Sequence, residues 1–197
     1  ELWVGWENDH FAWREKPARA SLHAHAGPLE LATGYISEVN LRAEAWVQSI
    51  ADILKQGAML LIDYGFPRAE FYHPQRAQGT LMCHYKHKAH DDPLRLVGLQ
   101  DITAHVASSA TAEAGTKAGL DLSGYASQAA FLLGNGLEQI MAASDPNDIR
   151  THLALTQQIK KLTLPHEMGE LYKVIAFQRD VQEPLPGFTL QDRRHRL

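Results

Sequence analysis

The clearest hydrophobic pattern in the chain runs through residues 39 to 66. Apolar side chains recur at helical spacing between Leu41 and Leu54, which predicts a helix over about 39–56 that stops at Gly57. The continuous apolar run that follows predicts a strand over 58–64, buried on both faces as in a parallel sheet. Together the two patterns predict a helix that feeds a central strand.

The predicted strand ends abruptly in Asp63, Tyr64 and Gly65. In open α/β sheets, ligands bind just beyond the carboxyl ends of such strands. A carboxylate in this place could orient a cationic substrate or take a proton, although it could equally cap the following turn. Asp63 and Tyr64 are therefore the first site candidates.

The rest of the pattern is a mixture of short elements. Alternation of Leu2, Val4 and Trp6 predicts a hairpin at the start, whereas "SLHAHAGPLE" predicts a loop or irregular strand. Residues 66–100 contain no long periodic segment, and "ELYKVIAFQRD" predicts a late strand.

Three helices are predicted in the last hundred residues. "SATAEAGTKAG" should be helical after a short strand in "LQDITAHVASS", with Ser108 or Ser109 as its cap. "YASQAAFLLGNGLEQIMAAS" is helical by composition, with a break at Gly134 and Gly136. A further helix should begin with Asp145 as N-cap and Pro146 in its first turn.

These elements predict an α/β fold whose sheet looks incomplete, because only two confident central strands appear. We expect a single domain over 1–197. Its expected parts are a hairpin and loop (1–33), a helix and central strand (34–65), an inserted cover (66–100) and helices with a late strand (101–197).

Composition excludes several classes of protein. The chain has 197 residues, of which 45% are hydrophobic and 21% charged, as in globular domains rather than disordered ones. A net charge of -4 predicts no nucleic-acid partner, and no apolar run is long enough to span a membrane. Cys83 is the single cysteine, so a reducing compartment is expected.

Motifs for common chemistries are missing. The chain contains no GxSxG elbow, no GxGxxG and no GxxxxGK[ST] loop. Four potential metal ligands fall within eight residues, but without paired spacing and with two lysines among them; we predict no metal and favour a solvated loop. These ligands are Cys83, His84, His87 and His90.

Asp101 and His105 lie four residues apart in "DITAHV". In a helix or in a strand, this spacing would put both side chains on one face, where they could act as an orienting pair. A structural hydrogen bond that closes the preceding loop explains them equally well.

An ordered series of motifs resembles the MidA-like family of class I S-adenosylmethionine-dependent methyltransferases. That family includes the mitochondrial complex I assembly factor that methylates an arginine. The resemblance extends from about Gly34 to Phe177 and rests on five segments: "LLIDYG", "GTLMCHYKHKAHDDPL", "VGLQDITAHV", "GYASQAAFLL" and "MGELYKVIAF".

The resemblance implies a Rossmann-like methyltransferase sheet with an inserted cover, S-adenosylmethionine as the cofactor and a protein substrate, with arginine the favoured acceptor. A respiratory-complex subunit is then the expected partner, in the bacterial cytoplasm or the mitochondrial matrix. The glycine-rich cofactor loop of the family lies in an N-terminal half, so the chain should correspond to the C-terminal portion.

The resemblance also implies roles for individual residues. The carboxylates expected to hold the acceptor are Asp63, Asp101 and Glu38, with Tyr64 and His105 as orienting partners. Residues expected on the walls and cover of the acceptor pocket are Gly65, Gly79, Thr80 and His84.

Two further expectations concern binding. A non-catalytic assembly or chaperone-like factor that keeps the methyltransferase fold is the alternative function. An unpaired edge of the central strand would favour homodimerisation or aggregation through that edge.

Overall fold

The structure is a computed structural model, and it describes residues 1–145 and 147–197. The chain forms two compact units: Glu1–Asn40 with Phe71–His105, and Leu41–Glu70 with Val106–Leu197. None of the described helices has the length and apolar character that a membrane crossing requires.

In chain order the strands and α-helices are β1 (Leu2–Glu7), β2 (His10–Glu15), α1 (Ala20–Ala26), α2 (Leu41–Ile53), β3 (Gly57–Phe66), α3 (Arg68–Phe71), β4 (Met82–Tyr85), β5 (Lys88–His90), β6 (Asp101–Thr103), β7 (Val106–Ala107), α4 (Ser108–Lys117), β8 (Asp121–Ser127), α5 (Gln128–Gly134), α6 (Leu137–Ala142), α7 (Ile149–Thr163), α8 (Met168–Leu171) and β9 (Tyr172–Arg179).

The second unit contains a four-stranded mixed sheet in the order β7-β3-β9-β8. Strand β9 is antiparallel to both β3 and β8, so β3 and β8 run in the same direction. The carboxyl ends of β3 and β8 therefore lie at the same edge of the sheet, where β9 begins. This arrangement confirms the predicted α/β class, the central strand and the late strand. The predicted burial of the central strand on both faces is wrong, because along most of its length β3 pairs, of the described strands, with β9 alone, and in antiparallel fashion, which leaves Leu60 and Ile62 about half exposed.

The core of this unit forms where α2 and α4 pack on the sheet. Val47 and Ala51 of α2 are buried with Met59 of β3 and Phe177 of β9. The guanidinium of Arg179 donates hydrogen bonds to the carbonyls of residues 51, 54 and 118, at the ends of both helices. One side chain thus satisfies carbonyls that two helix ends would leave unpaired.

The other edge of β3 is open over most of its length. β7 pairs with it only at Gly65 and Phe66, and no other strand among the described residues pairs with that edge. Leu60 and Ile62 of β3 remain about half exposed. The open edge matches the incomplete sheet expected from the sequence; dimerisation through it stays a prediction.

Two predicted helix caps are wrong. Helix α4 begins at Ser108 with Ala107 as N-cap, because the serine hydroxyls have other partners: Ser108 accepts from the Tyr125 hydroxyl and Ser109 from the backbone N–H of Arg68. At α7 the N-cap is Asp148, whose carboxylate accepts from the N–H of residue 151.

Asp145 does not cap α7, because its Oδ1 atom accepts from the N–H and the amide of Asn147 within the preceding turn. The predicted place of Pro146 in the first helical turn lies outside the described residues.

The stretch from Tyr125 to Ser144 is only partly the predicted helix. Its first residues belong to β8, which the sequence analysis missed, and the Ser127 hydroxyl accepts from the N–H of Ala130 to cap α5. The predicted break is confirmed, since α5 ends at Gly134 and the left-handed Gly136 precedes α6.

The first unit contains two small sheets. Strands β1 and β2 form the predicted hairpin, with Asn8 and Asp9 at positive φ in its two-residue turn. A three-stranded antiparallel sheet has the order β5-β4-β6. The prediction for "SLHAHAGPLE" is wrong, because this segment folds as α1 followed by a short 3-10 turn. Its first part is rich in alanine, which has the highest helix propensity.

Candidate active site

The carboxyl end of β3 presents Asp63 to solvent and leaves Tyr64 half-buried. The Oδ1 atom of Asp63 accepts a hydrogen bond of 2.8 Å from the backbone N–H of Tyr64. The Tyr64 ring packs edge-on against Tyr172 of β9, with 5.6 Å between ring centroids. The strand end is thus fixed by an aromatic contact, while the carboxylate itself faces outward.

Gly65 follows, and any larger residue at this position would force the backbone to shift. A Cβ atom at this position would lie 2.4 Å from the carbonyl oxygen of Val106 in β7. Here the chain uses glycine for the close approach of two strands. The "DYG" motif therefore combines an exposed carboxylate, an anchored ring and a tight strand contact.

Lys173 of β9 lies directly opposite Asp63 in the antiparallel register, and Ser127 of β8 lies directly opposite Lys173. Cross-strand partners point to the same face, with about 5 Å between their Cβ atoms. Burial lowers the pKa of Lys173, and the carboxylate of Glu170 only partly offsets this. The Lys173 ammonium itself donates hydrogen bonds to the backbone carbonyls of Glu170 and Leu171, which hold it at the start of β9.

Glu170 and Arg193 form a bidentate ion pair beside this row, with N···O distances of 3.0 and 3.2 Å. Partial burial raises the pKa of Glu170. The hydrogen bonds and charge of Arg193, with smaller contributions from Ser127 and Lys173, outweigh it and hold that pKa below its usual value. The pair joins α8 to the end of the chain.

Lys173, Glu170 and Arg193 are not among the site residues predicted from the sequence. Lys173 could have been found only with the β3–β9 register, since in the sequence it is one polar position within an apolar strand. Arg193 lies in the basic tail "DRRHRL", which contacts β8 through backbone and side-chain groups. In one of these contacts, the backbone N–H of Arg193 donates to the carbonyl oxygen of Tyr125 at 2.6 Å.

In the first unit, the carboxylate of Glu38 accepts hydrogen bonds from a single turn. Its donors are the backbone N–H of Thr80 at 2.9 and 3.0 Å, the Thr80 hydroxyl at 3.0 Å and the N–H of Leu81 at 3.1 Å. The Thr80 hydroxyl oxygen also accepts from the N–H of His105 at 3.0 Å. We call Glu38 with Thr80 and Leu81 the Glu38 clasp.

Gly79 is required by the Glu38 clasp. Its φ is +80°, and a Cβ atom there would lie 2.3 Å from Oε1 of Glu38. The structure therefore brings Glu38, Gly79, Thr80 and His105 together, as three chain segments that meet at one carboxylate.

Asp101 and His105 do not share one regular element. Strand β6 ends at Thr103, and His105 turns toward Thr80 with its backbone. Asp101 instead lies opposite His84 in the register of β4 and β6, with both residues exposed. Their four-residue spacing therefore does not put the two side chains on one face of a strand, because the strand ends between them.

The Cys83 cluster forms the β4–β5 hairpin. Cys83 is buried opposite His90, and burial raises the pKa of its thiol, with Asp92 and Asp91 adding to the effect. His87 lies in the two-residue turn. No three His, Cys, Asp or Glu side chains within the described ranges are placed to hold a metal ion.

Comparison with known proteins places this architecture in a family. The family model described as "Putative S-adenosyl-L-methionine-dependent methyltransferase" matches residues 1–126, which is more than half of the chain. The chain belongs to this family. No curated protein matches it.

Two solved structures from the COG1565 superfamily, both from Burkholderia thailandensis, resemble this methyltransferase-family chain over its whole length. Each is 46% identical with a TM-score of 0.94, and one of them is bound to S-adenosyl-homocysteine. The chain covers 100% of its own length but 51% and 53% of theirs. It thus spans about half the length of the structures it matches.

Proposed function

We propose that this chain is the acceptor-side, C-terminal portion of a MidA-like methyltransferase that transfers a methyl group from S-adenosylmethionine to a protein side chain, with arginine as the favoured acceptor. The observation that carries the proposal is the 46% identity, over the full length of the chain, to a relative that binds S-adenosyl-homocysteine. A subunit of a respiratory complex is the proposed partner.

Asp63 is the residue that we assign to the acceptor. Its carboxylate is exposed at the carboxyl end of β3, and one oxygen is oriented by the N–H of Tyr64. A carboxylate binds a guanidinium through charge-assisted hydrogen bonds that fix both distance and plane. It could also take the proton that the attacking nitrogen loses as its lone pair bonds to the methyl carbon, while the bond from that carbon to sulfur breaks and S-adenosylhomocysteine leaves as a neutral thioether.

The remaining candidates take supporting places in this proposal. Tyr64 and Gly65 fix the end of β3, and Asp101 with His84 forms an exposed polar pair in the first unit. Glu38 and Thr80, with Gly79 and His105, shape the turn at Thr80 in the same unit, because their polar groups bond to one another. Glu38 thus acts as a positioning residue rather than as a direct ligand of the acceptor.

The chain's own residues fit the acceptor better than the cofactor. S-adenosylmethionine supplies an electrophilic methyl group, and proteins of this chemistry hold it with a glycine-rich turn between strand and helix. The sequence contains no such GxGxxG motif. We therefore assign no residue of the chain to the cofactor, and we propose that its binding requires the part of the relatives' length that this chain does not span.

Calorimetric titration with S-adenosyl-homocysteine tests the proposal. We would compare the 197-residue chain with the longer gene product as the cell produces it. Binding by the longer protein alone is the expected result. Binding by neither would contradict the proposal and favour the assembly-factor function.

One observation favours that second function. The β1–β2 hairpin exposes several large apolar side chains, as a protein-binding factor would. Methylarginine in proteins from cells that express the intact gene product, and its absence when Asp63 is changed to Asn, would decide for the enzyme.

A further inference from the structure

The β1–β2 hairpin has one apolar face. The register pairs Val4 with Trp13 and Trp6 with Phe11, and because side chains alternate between faces, these four lie on the same side. Trp3 pairs with Arg14 and lies on the opposite side. We call the side with Val4, Trp6, Phe11 and Trp13 the hairpin face.

The hairpin face is exposed to an unusual degree. Trp6 is 60% exposed, Val4 53% and Trp13 46%. Trp6 packs edge-on against Phe11, with 4.9 Å between ring centroids, so the exposed ring is held in place beside the turn. A rigid aromatic side chain loses little conformational entropy when it is buried by a partner.

A cavity of about 180 Å³ opens on the same face, next to Phe11, the ring against which Trp6 packs. Phe11 and Trp13 line it, together with apolar residues of the segment 93–102. An apolar cavity of about 150 Å³ accommodates a benzene ring, so this one can take an aromatic side chain. The first unit thus carries a protruding aromatic ring and, next to it, a cavity of matching size and polarity.

We propose that the hairpin face binds the hairpin face of a second copy of this chain, with Trp6 of each copy inserted into the cavity of the other. A projection and its complement on one surface are what a two-fold interface needs, since each contact then occurs twice. Charged residues on this side of the hairpin and in the segment that lines the cavity have both signs, so two copies do not meet with like charge only: Glu15, Arg95 and Asp101.

The exposed area is also sufficient. Six apolar side chains of the hairpin face and the cavity rim are 39–60% exposed, namely Val4, Trp6, Phe11, Trp13, Val97 and Ile102. With about 200 Å² for a large side chain, they leave on the order of 600 Å² to be buried, near the roughly 800 Å² per partner of a standard interface. An apolar patch of this extent is at the upper limit for a monomer, about 300–600 Å².

Sedimentation velocity over a concentration series tests the proposal. The unmodified chain should form a dimer, and Trp6→Ser should weaken the association constant by at least about 30-fold, as expected for an aromatic anchor. Trp3→Ser is the matched control, because Trp3 is 43% exposed on the opposite side of the same hairpin. It should leave the association constant unchanged.

Two further variants keep the test decisive. Val97→Lys, on the cavity rim, should also weaken the dimer, whereas Ile62→Lys on the open edge of β3 should not. A monomer at every concentration would overturn the proposal and leave the face to a different protein. A dimer that is lost with Ile62→Lys but kept with Trp6→Ser would overturn it in favour of association through the strand edge.

Discussion

Glu38 and Asp63 are both expected from the sequence to hold the acceptor, but the structure surrounds them with different numbers of hydrogen-bond donors. Glu38 accepts hydrogen bonds from Thr80 and Leu81 through both of its oxygens. Asp63 is exposed at a strand end and accepts from the N–H of the next residue. The difference teaches that the donors around a carboxylate, rather than its residue type, determine whether it can serve a ligand.

Between these extremes lies Glu170, which is half-buried and paired with the guanidinium of Arg193. Its partner is a charge rather than a set of backbone N–H groups. The three carboxylates form a series, from Glu38 with the most hydrogen-bond donors to the exposed Asp63. Substitutions of the three should lower the free energy of unfolding in the same order.

The largest effect is expected for Glu38→Ala. The substitution leaves two backbone N–H groups and the Thr80 hydroxyl without their acceptor in a largely buried place. We expect a loss of about 3 kcal/mol, at the upper end of values for buried polar groups. Hydrogen exchange at the amides of Thr80 and Leu81 measures it, with Asp63→Ala as control. Equal protection in both variants would contradict the account.

Gly79→Ala sharpens the comparison by crowding the Glu38 clasp without removing it. We expect about 2 kcal/mol of destabilisation, from the positive φ and from the clash with Oε1 of Glu38. Gly98→Ala is the matched control, because φ is +78° there and no atom lies within 4 Å of the added Cβ. It should cost only about 1 kcal/mol in urea unfolding. Equal losses would show that the contact with Glu38 contributes nothing.

Glu170→Gln tests the intermediate case through pH. Because the folded-state pKa of Glu170 lies below its unfolded value, the unfolded state binds more protons in acid. The ion pair therefore stabilises the fold above about pH 4.5 and is lost as the pH falls through the folded-state pKa. We expect the wild type to exceed the variant by about 1 kcal/mol at pH 7, discounted for exposure, and by progressively less as the pH falls below about 4.5. Urea unfolding at several pH values measures this, and a difference that persists in acid would contradict it.

Asp63→Asn should have the smallest effect on stability. Asn keeps an oxygen that can accept from the N–H of Tyr64, and the side chain is exposed. We expect a change within about 0.5 kcal/mol in urea unfolding, as for other surface substitutions. A loss comparable to that of Glu38→Ala would place Asp63 among the structural carboxylates.

The long elements could be predicted from the sequence because local patterns specify them. The apolar period gave α2, the continuous apolar run gave β3, and the alternation of Leu2, Val4 and Trp6 gave the hairpin. Strand β8 could not be predicted, because "DLSGYAS" has no β-branched residue and gains its place by pairing with β9.

The candidate site was predictable in part for a similar reason. The strand-end rule located Asp63 and Tyr64 without knowledge of the fold. The Glu38 clasp could not be anticipated, because it joins residues 42 and 43 positions apart through backbone donors. Lys173 acquires its place only through the register of two strands.

The most direct test of the central claim measures methyl transfer for the isosteric variants Asp63→Asn and Glu38→Gln in the protein as the cell produces it. Mass spectrometry would quantify methylarginine, and urea unfolding would be recorded on the same samples. We predict that Asp63→Asn lowers methylation at least 100-fold with unchanged unfolding, and that Glu38→Gln lowers methylation only as far as it lowers stability. Full methylation by Asp63→Asn would contradict the claim that the end of β3 binds the acceptor.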